Sequence, residues 1–100
     1  MKKVFAIAMT EVREDSVLCG SDALMDWDAA VDAADDFMAR CVGDFYEIDP
    51  GDWAARRAKV EERVWRETSV FKGERKLECH YEDPNGALVV ATSVQETELR

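Results

Sequence analysis

Residues 75–95 read RKLECHYEDPNGALVVATSVQ, and this stretch decides the fold. Leu77, Cys79 and Tyr81 alternate with Glu78, His80 and Glu82, the period of two expected of a strand with one buried face. Asp83, Pro84, Asn85 and Gly86 follow, four residues that each favour a reversal of the chain. Leu88, Val90 and Val94 then return along one side of a second strand. The pattern predicts an antiparallel hairpin over 75–95. A lone hairpin is only marginally stable in water, so the remaining chain must extend the sheet and cover it.

The N-terminus supplies a further strand. Over residues 3–12, Phe5, Ile7 and Met9 alternate with Ala6, Ala8 and Thr10, giving a large-residue face for the core and a small-residue face behind it. REDS is read as a loop, and Gly20 to Asp22 as a turn into a helix. In that helix Leu24, Trp27, Val31, Ala34, Met38 and Cys41 recur at spacings of three and four, with Ala30 and Phe37 widening the stripe. Ser21 or Asp22 is placed as its N-cap and Gly43 as its C-terminal stop.

A second helix is announced by EIDPGDW. Asp49 suits the N-cap, Pro50 the first helical position, Asp52 the capping-box acid, and Ile48 with Trp53 a hydrophobic staple. Trp53, Val60 and Val64 form its apolar stripe, with Arg57/Glu61, Glu62/Arg66 and Arg63/Glu67 spaced as ion pairs; it ends near residue 65. Residues 66–72 either add a strand or extend this helix, and KGE makes a tight turn. The expectation is one compact α+β domain over residues 1–100. It has an antiparallel sheet of three to four strands in the order β-α-α-(β)-β-β, with two helices packed on one face.

Several functions are disfavoured. The net charge is −9, and binding to nucleic acid or an anionic membrane rests on Lys and Arg contacts to phosphate. No apolar run approaches the ~20 residues of a membrane span. MKKVFAIAMTEV resembles a signal peptide only at its start: its apolar run stops at Thr10 without a cleavage pattern. Three widely spaced cysteines, Cys19, Cys41 and Cys79, fit a reduced, cytoplasmic protein. The nucleotide-binding, hydrolase, zinc-protease and EF-hand motifs are all missing. Cys79 and the single histidine, His80, are adjacent and so point to opposite faces of a strand. No cofactor, metal or catalytic residue is expected.

What stands out is the choice of acid. Residues 14–52 hold twelve acids and a single base, Arg40, whereas residues 56–76 hold eight bases and four acids. From residue 15 to 52 there are ten aspartates and one glutamate; from 53 onward there are eight glutamates and one aspartate. Aspartate is the poorer helix former. On a helical wheel with Val31 at the origin, Asp35, Asp28, Asp32 and Asp36 fall near about 40°, 60°, 100° and 140°, an acidic ridge beside the apolar stripe. A helix face alone supplies too few oxygens for calcium. A stiff row of short carboxylates instead presents a phosphate-like potential to a cationic partner.

In size, acidity and lack of catalytic motif, the chain resembles the small inhibitors that phages and mobile elements aim at nucleic-acid-handling machinery, such as anti-restriction and anti-CRISPR proteins. No motif is shared with them, so no residue role is carried over. The resemblance implies a non-enzymatic protein whose partner is a basic, nucleic-acid-binding protein surface. Asp28, Asp32, Asp35 and Asp36 would carry that contact, with Tyr46 and Glu47 at its rim. Two other readings compete: an oligomerising module, homodimeric through the hairpin edge or Trp65 and with merely solvated acids, and a small enzyme with a cysteine or carboxylate site.

Overall fold

The computed structural model describes residues 2–13 and 16–99. Its elements are β1 (Lys2–Arg13), β2 (Ser16–Leu24), α1 (Trp27–Phe45), α2 (Trp53–Arg63), β3 (Trp65–Phe71), β4 (Glu74–Glu82) and β5 (Leu88–Leu99). The hairpin read at 75–95 is β4–β5, with Leu77 opposite Val94, Cys79 opposite Thr92 and Tyr81 opposite Val90. Asp83 holds the connection. Its side chain accepts from the amides of Asn85 and Ala87, and Gly86 supplies the positive φ of 71° that the reversal requires. β1 pairs with β5 over twelve positions, Lys2 with Leu99 to Arg13 with Leu88. All strands are antiparallel, in the order β2-β1-β5-β4-β3.

Both helices pack on one face of this sheet, as the alternating strands require. Phe5, Ile7, Leu77, Cys79, Tyr81, Leu88, Val90 and Val94 meet Ala30, Ala34, Phe37, Met38, Cys41 and Val42 of α1 in a single core. Burial of these apolar side chains is the main stabilising term, roughly 25 cal/mol per Å² removed from water. The opposite face carries Ala6, Ala8, Thr10, Ala91 and Ser93 and is covered by nothing among the described residues.

The structure adds a strand and moves several boundaries. Residues 16–24, expected to pass from a loop at Ser16 through a turn at Gly20–Asp22 into the first helix at Leu24, form β2, paired with β1 from Arg13–Ser16 to Phe5–Leu24. All but one of its residues are exposed, so no hydrophobic alternation announces it. α1 consequently starts later. Its N-cap is Asp26, which accepts from Ala29 N at 3.2 Å, in place of Ser21 or Asp22. Gly43 lies inside the helix rather than after it.

The second helix also begins later. Asp52, accepting from Ala55 N at 3.1 Å, is the N-cap, while Asp49 closes a turn onto Gly51 N at 2.7 Å. That helix ends at Arg63, and residues 65–71 are strand. Arg66 and Glu67 therefore lie on β3, and the three ion pairs expected along one helix do not form. Arg57 reaches Asp36, Arg66 reaches Asp35, and Glu62 meets Lys59 and Arg63.

The α1–α2 junction is organised by one buried cation. Arg56 is 2% exposed. It donates to the carbonyls of Asp49 (3.0 Å), Arg40 (3.0 Å) and Ile48 (2.6 Å) and to Asp44 Oδ1 (2.8 Å). The fork of the guanidinium lets one side chain satisfy the end of α1 and the following loop together. Gly43 makes the space: a Cβ there would lie 2.6 Å from Arg56 Cγ.

Candidate functional site

Four aspartates project from α1 on the side where α2 and β3 approach. Asp28 and Asp32 are exposed and have no ion-pair partner among the described residues. Asp35 Oδ1 accepts from Arg66 Nη1 at 2.8 Å, and Asp36 Oδ1 from Arg57 Nη2 at 3.2 Å. Asp32, Asp35 and Asp36 thus line a polar cleft of about 320 Å³ whose far wall is Arg57, Glu61 and Arg66. The ridge read from the sequence is present, but half of it is answered by the chain's own arginines. Such part-exposed pairs are worth roughly 0–1 kcal/mol, so they constrain the carboxylates only weakly.

Tyr46 and Glu47 are placed differently from the ridge. The Tyr46 hydroxyl meets that of Tyr81 at 2.7 Å, its ring stacks edge-on with Phe45, and Lys59 Nζ sits 4.9 Å from the ring centroid. Tyr46 is a packing residue. Burial, then the hydrogen bond with Tyr46, pushes the Tyr81 hydroxyl above its ordinary pKa. Glu47 is exposed, with a left-handed φ of 57°. It follows the last turn of α1, about 16 Å along the axis from Asp36, the nearest residue of the ridge.

The excess of aspartate has largely local causes. Asp26 and Asp52 cap helices, Asp49 closes a turn, and Asp22 accepts from Ala23 N at 2.8 Å. Asp44 holds Arg56, and Asp35 and Asp36 hold Arg66 and Arg57. A short side chain reaches an amide one to three residues onward, where glutamate is too long. Asp15 lies outside the described residues. Asp28, in the first turn of α1, complements the helix dipole. Among the described residues, Asp32 alone of these aspartates has no partner or dipole to account for it.

The thiols are dispersed. Cys41 donates to Glu11 Oε2 at 2.8 Å beneath the helices, and burial together with that carboxylate pushes its pKa up to about 12. Burial tends to raise Glu11, but hydrogen bonds from Cys41 and Arg13 hold it below the ordinary value. Burial likewise raises Cys79. Cys19 is exposed and shares a cross-strand row with His80 on the open face, through Thr10 and Ala91. Three inter-strand spacings separate the two, about 14 Å, too far for a thiol–imidazole pair. A shallow depression of about 550 Å³ on this face is lined by small side chains, Trp65, Lys76, Glu78 and His80.

No group of three or more metal-ligating side chains occurs among the described residues, and none of their helices is long and apolar enough to cross a membrane. Comparison with family models, with curated proteins and with solved structures finds no match.

Proposed function

We propose that this chain is a non-enzymatic binding protein that lays the acidic flank of α1 against a cationic surface of another protein. The exposed, unpaired carboxylates of Asp28 and Asp32 carry this reading. They stand four residues apart, about 6 Å along the axis, and repel one another in the free chain. A cationic partner relieves that repulsion. Asp35 and Asp36 join the contact by exchanging Arg66 and Arg57 for the partner's bases, an exchange that forfeits little. The spacing of these charges resembles that of phosphates, so the surface best suited to them is one that ordinarily holds nucleic acid. Bound there, the chain acts as an inhibitor of the phage or mobile-element kind. Free thiols at Cys19, Cys41 and Cys79 agree with action in the reducing cytoplasm.

The test compares the wild-type chain with the charge-reversed Asp28→Lys, Asp32→Lys double variant, each immobilised and challenged with the same native lysate. A protein retained only by wild type, released by salt and losing its nucleic acid to the free chain, is the expected result. Equal retention by both chains would sink the reading.

A further inference from the structure

We infer that a second copy of this chain adds to the β3 edge, joining two five-stranded sheets into one of ten strands about a two-fold axis at Thr68. All seven residues of β3 are exposed, among them Trp65 at 52%, Val70 at 65% and Phe71 at 74%. Edge strands are normally short, bulged, covered or charged, because their free amides and carbonyls template another strand. β3 is neither bulged nor covered, pairing with β4 without interruption from Trp65–His80 to Phe71–Glu74, and its two charges, Arg66 and Glu67, are of opposite sign.

The direction of its backbone groups follows from the turn. Lys72 and Gly73 both have positive φ, 53° and 78°, which makes the two-residue link a type I′ turn. The hydrogen bond across such a turn makes Phe71 and Glu74 a hydrogen-bonded pair. Alternation along an antiparallel ladder then commits Ser69, Glu67 and Trp65 to β4. The amides and carbonyls of Arg66, Thr68 and Val70 point to the open edge.

Side chains then fix the register. Centring the axis on Thr68 sets Thr68 against Thr68 of the second copy, Arg66 against Val70, Glu67 against Ser69 and Trp65 against Phe71. Every outward amide and carbonyl of Arg66, Thr68 and Val70 is matched. Both aromatic pairs fall on the open face of the sheet, where Trp65 lies beside His80. Cross-strand aromatic pairs are among the more favourable ones. Moving the axis to Glu67 places that glutamate against itself, and like charges directly opposite are destabilising. Moving it to Ser69 sets Arg66 and Trp65 against the turn residues Lys72 and Gly73, beyond the end of the strand, so the aromatic pairs are lost.

Charge also selects this edge over the other. β3 lies within residues 56–76, the most basic stretch of a chain of net charge −9. Joining there keeps the acidic segments at opposite ends of the dimer. β2, the other edge, lies within the acidic segment and carries Asp22 and Gly20.

Sedimentation of the full chain tests this. Wild type should associate to a dimer of the 11.3 kDa chain. Thr68→Pro removes only an outward-facing amide, which an edge strand tolerates, and should weaken association on the order of 100-fold. Thr68→Cys in a Cys19→Ser background should form a disulfide-linked dimer with oxidised glutathione, since facing Cα atoms lie about 5.5 Å apart in such a pair. Glu67→Cys in the same background, whose counterpart is displaced along the strand, should link far less. A chain that stays monomeric at the highest concentration it tolerates, a dimer that Thr68→Pro leaves intact, or equal cross-linking at 67 and 68 would each overturn the inference.

Discussion

Arg56 and Arg57 are neighbours in sequence and opposites in structure. Arg56 is 2% exposed and donates to three carbonyls and Asp44. Arg57 lies in solvent and, among the described residues, its one ion pair is with Asp36, at 3.2 Å. Both are Arg–Asp pairs between the two helices, yet only the first builds the fold. Buried charge is tolerable when every nitrogen finds an acceptor, and its loss then takes a donor from several acceptors at once. A solvated pair trades water for a carboxylate and gains little. The difference separates the charges that hold the molecule together from those that solvent already satisfies.

Removing the buried member should have the largest effect. Arg56→Ala should lower unfolding free energy by about 3 kcal/mol or more, because the carbonyls of Arg40 and Ile48 and the Asp44 carboxylate each lose a donor together, and Asp49 O keeps only that of Asp52 N. Urea denaturation reads this directly. Arg56→Lys should recover less than half of it, since one ammonium cannot reproduce the fork. An Arg56→Ala chain as stable as wild type would erase the contrast with Arg57.

Gly43→Ala sharpens the same point. At an exposed helical position this change stabilises by about 1 kcal/mol. Here the new Cβ would stand 2.6 Å from Arg56 Cγ and 2.7 Å from Nη1. Displacing the guanidinium should reverse the sign, to a loss of about 1–3 kcal/mol. Combined with Arg56→Ala, the substitution should regain its ordinary helical benefit, a non-additivity that a double-mutant cycle would record.

These residues also mark what could be read in advance. The β4–β5 hairpin and β1 were legible because each has one buried face, so Leu77, Cys79, Tyr81 and Phe5, Ile7, Met9 carry the alternation themselves. The core of α1 was legible for the same reason. β2 was not, because its pairing comes from the backbone of β1 and its exposed side chains record no face. Asp49 and Pro50 mimic a helix start, so the capping pattern points to Asp49 and away from Asp52, the residue that caps α2. The role of Arg56 was hidden because its acceptors are main-chain carbonyls spread over residues 40–49. The acidic ridge was legible as a pattern, but not the two arginines that α2 and β3 bring to it. Those contacts join residues 21 and 31 apart in sequence.

Titration extends the comparison to other buried polar groups. Lys3 and Arg75 outweigh burial at Glu96, and hydrogen bonds outweigh it at Glu11, so both carboxyls sit below their ordinary pKa. Their stabilisation is present at neutral pH. It should drain away as pH falls below about 4.5, where the unfolded chain takes up protons first. Cys41 acts in the opposite range. The folded chain keeps its thiol proton up to about 12, whereas the unfolded chain loses it near 9, so stability should fall as pH rises across that interval. At pH 8 a thiol reagent should label Cys19 at once, and Cys41 and Cys79 only as fast as the chain opens. Immediate labelling of all three would contradict the packing of α1 on the sheet.

The smallest effects belong to the ridge, and there the sign carries the information. Asp35→Asn removes a 2.8 Å pair with Arg66 and should cost about 0.5 kcal/mol, fading as salt is added. Asp32→Asn breaks no ion pair and relieves repulsion from Asp28 and Asp36, each one helical turn away, so it should stabilise by a few tenths of a kcal/mol at low salt. Thermal melts at low and high ionic strength separate the two. If both substitutions destabilise equally, Asp32 has a structural partner and the ridge is ordinary scaffolding. If they split as expected, Asp32 stands as a charge that weakens the isolated chain, and only a bound cation gives it a stabilising role.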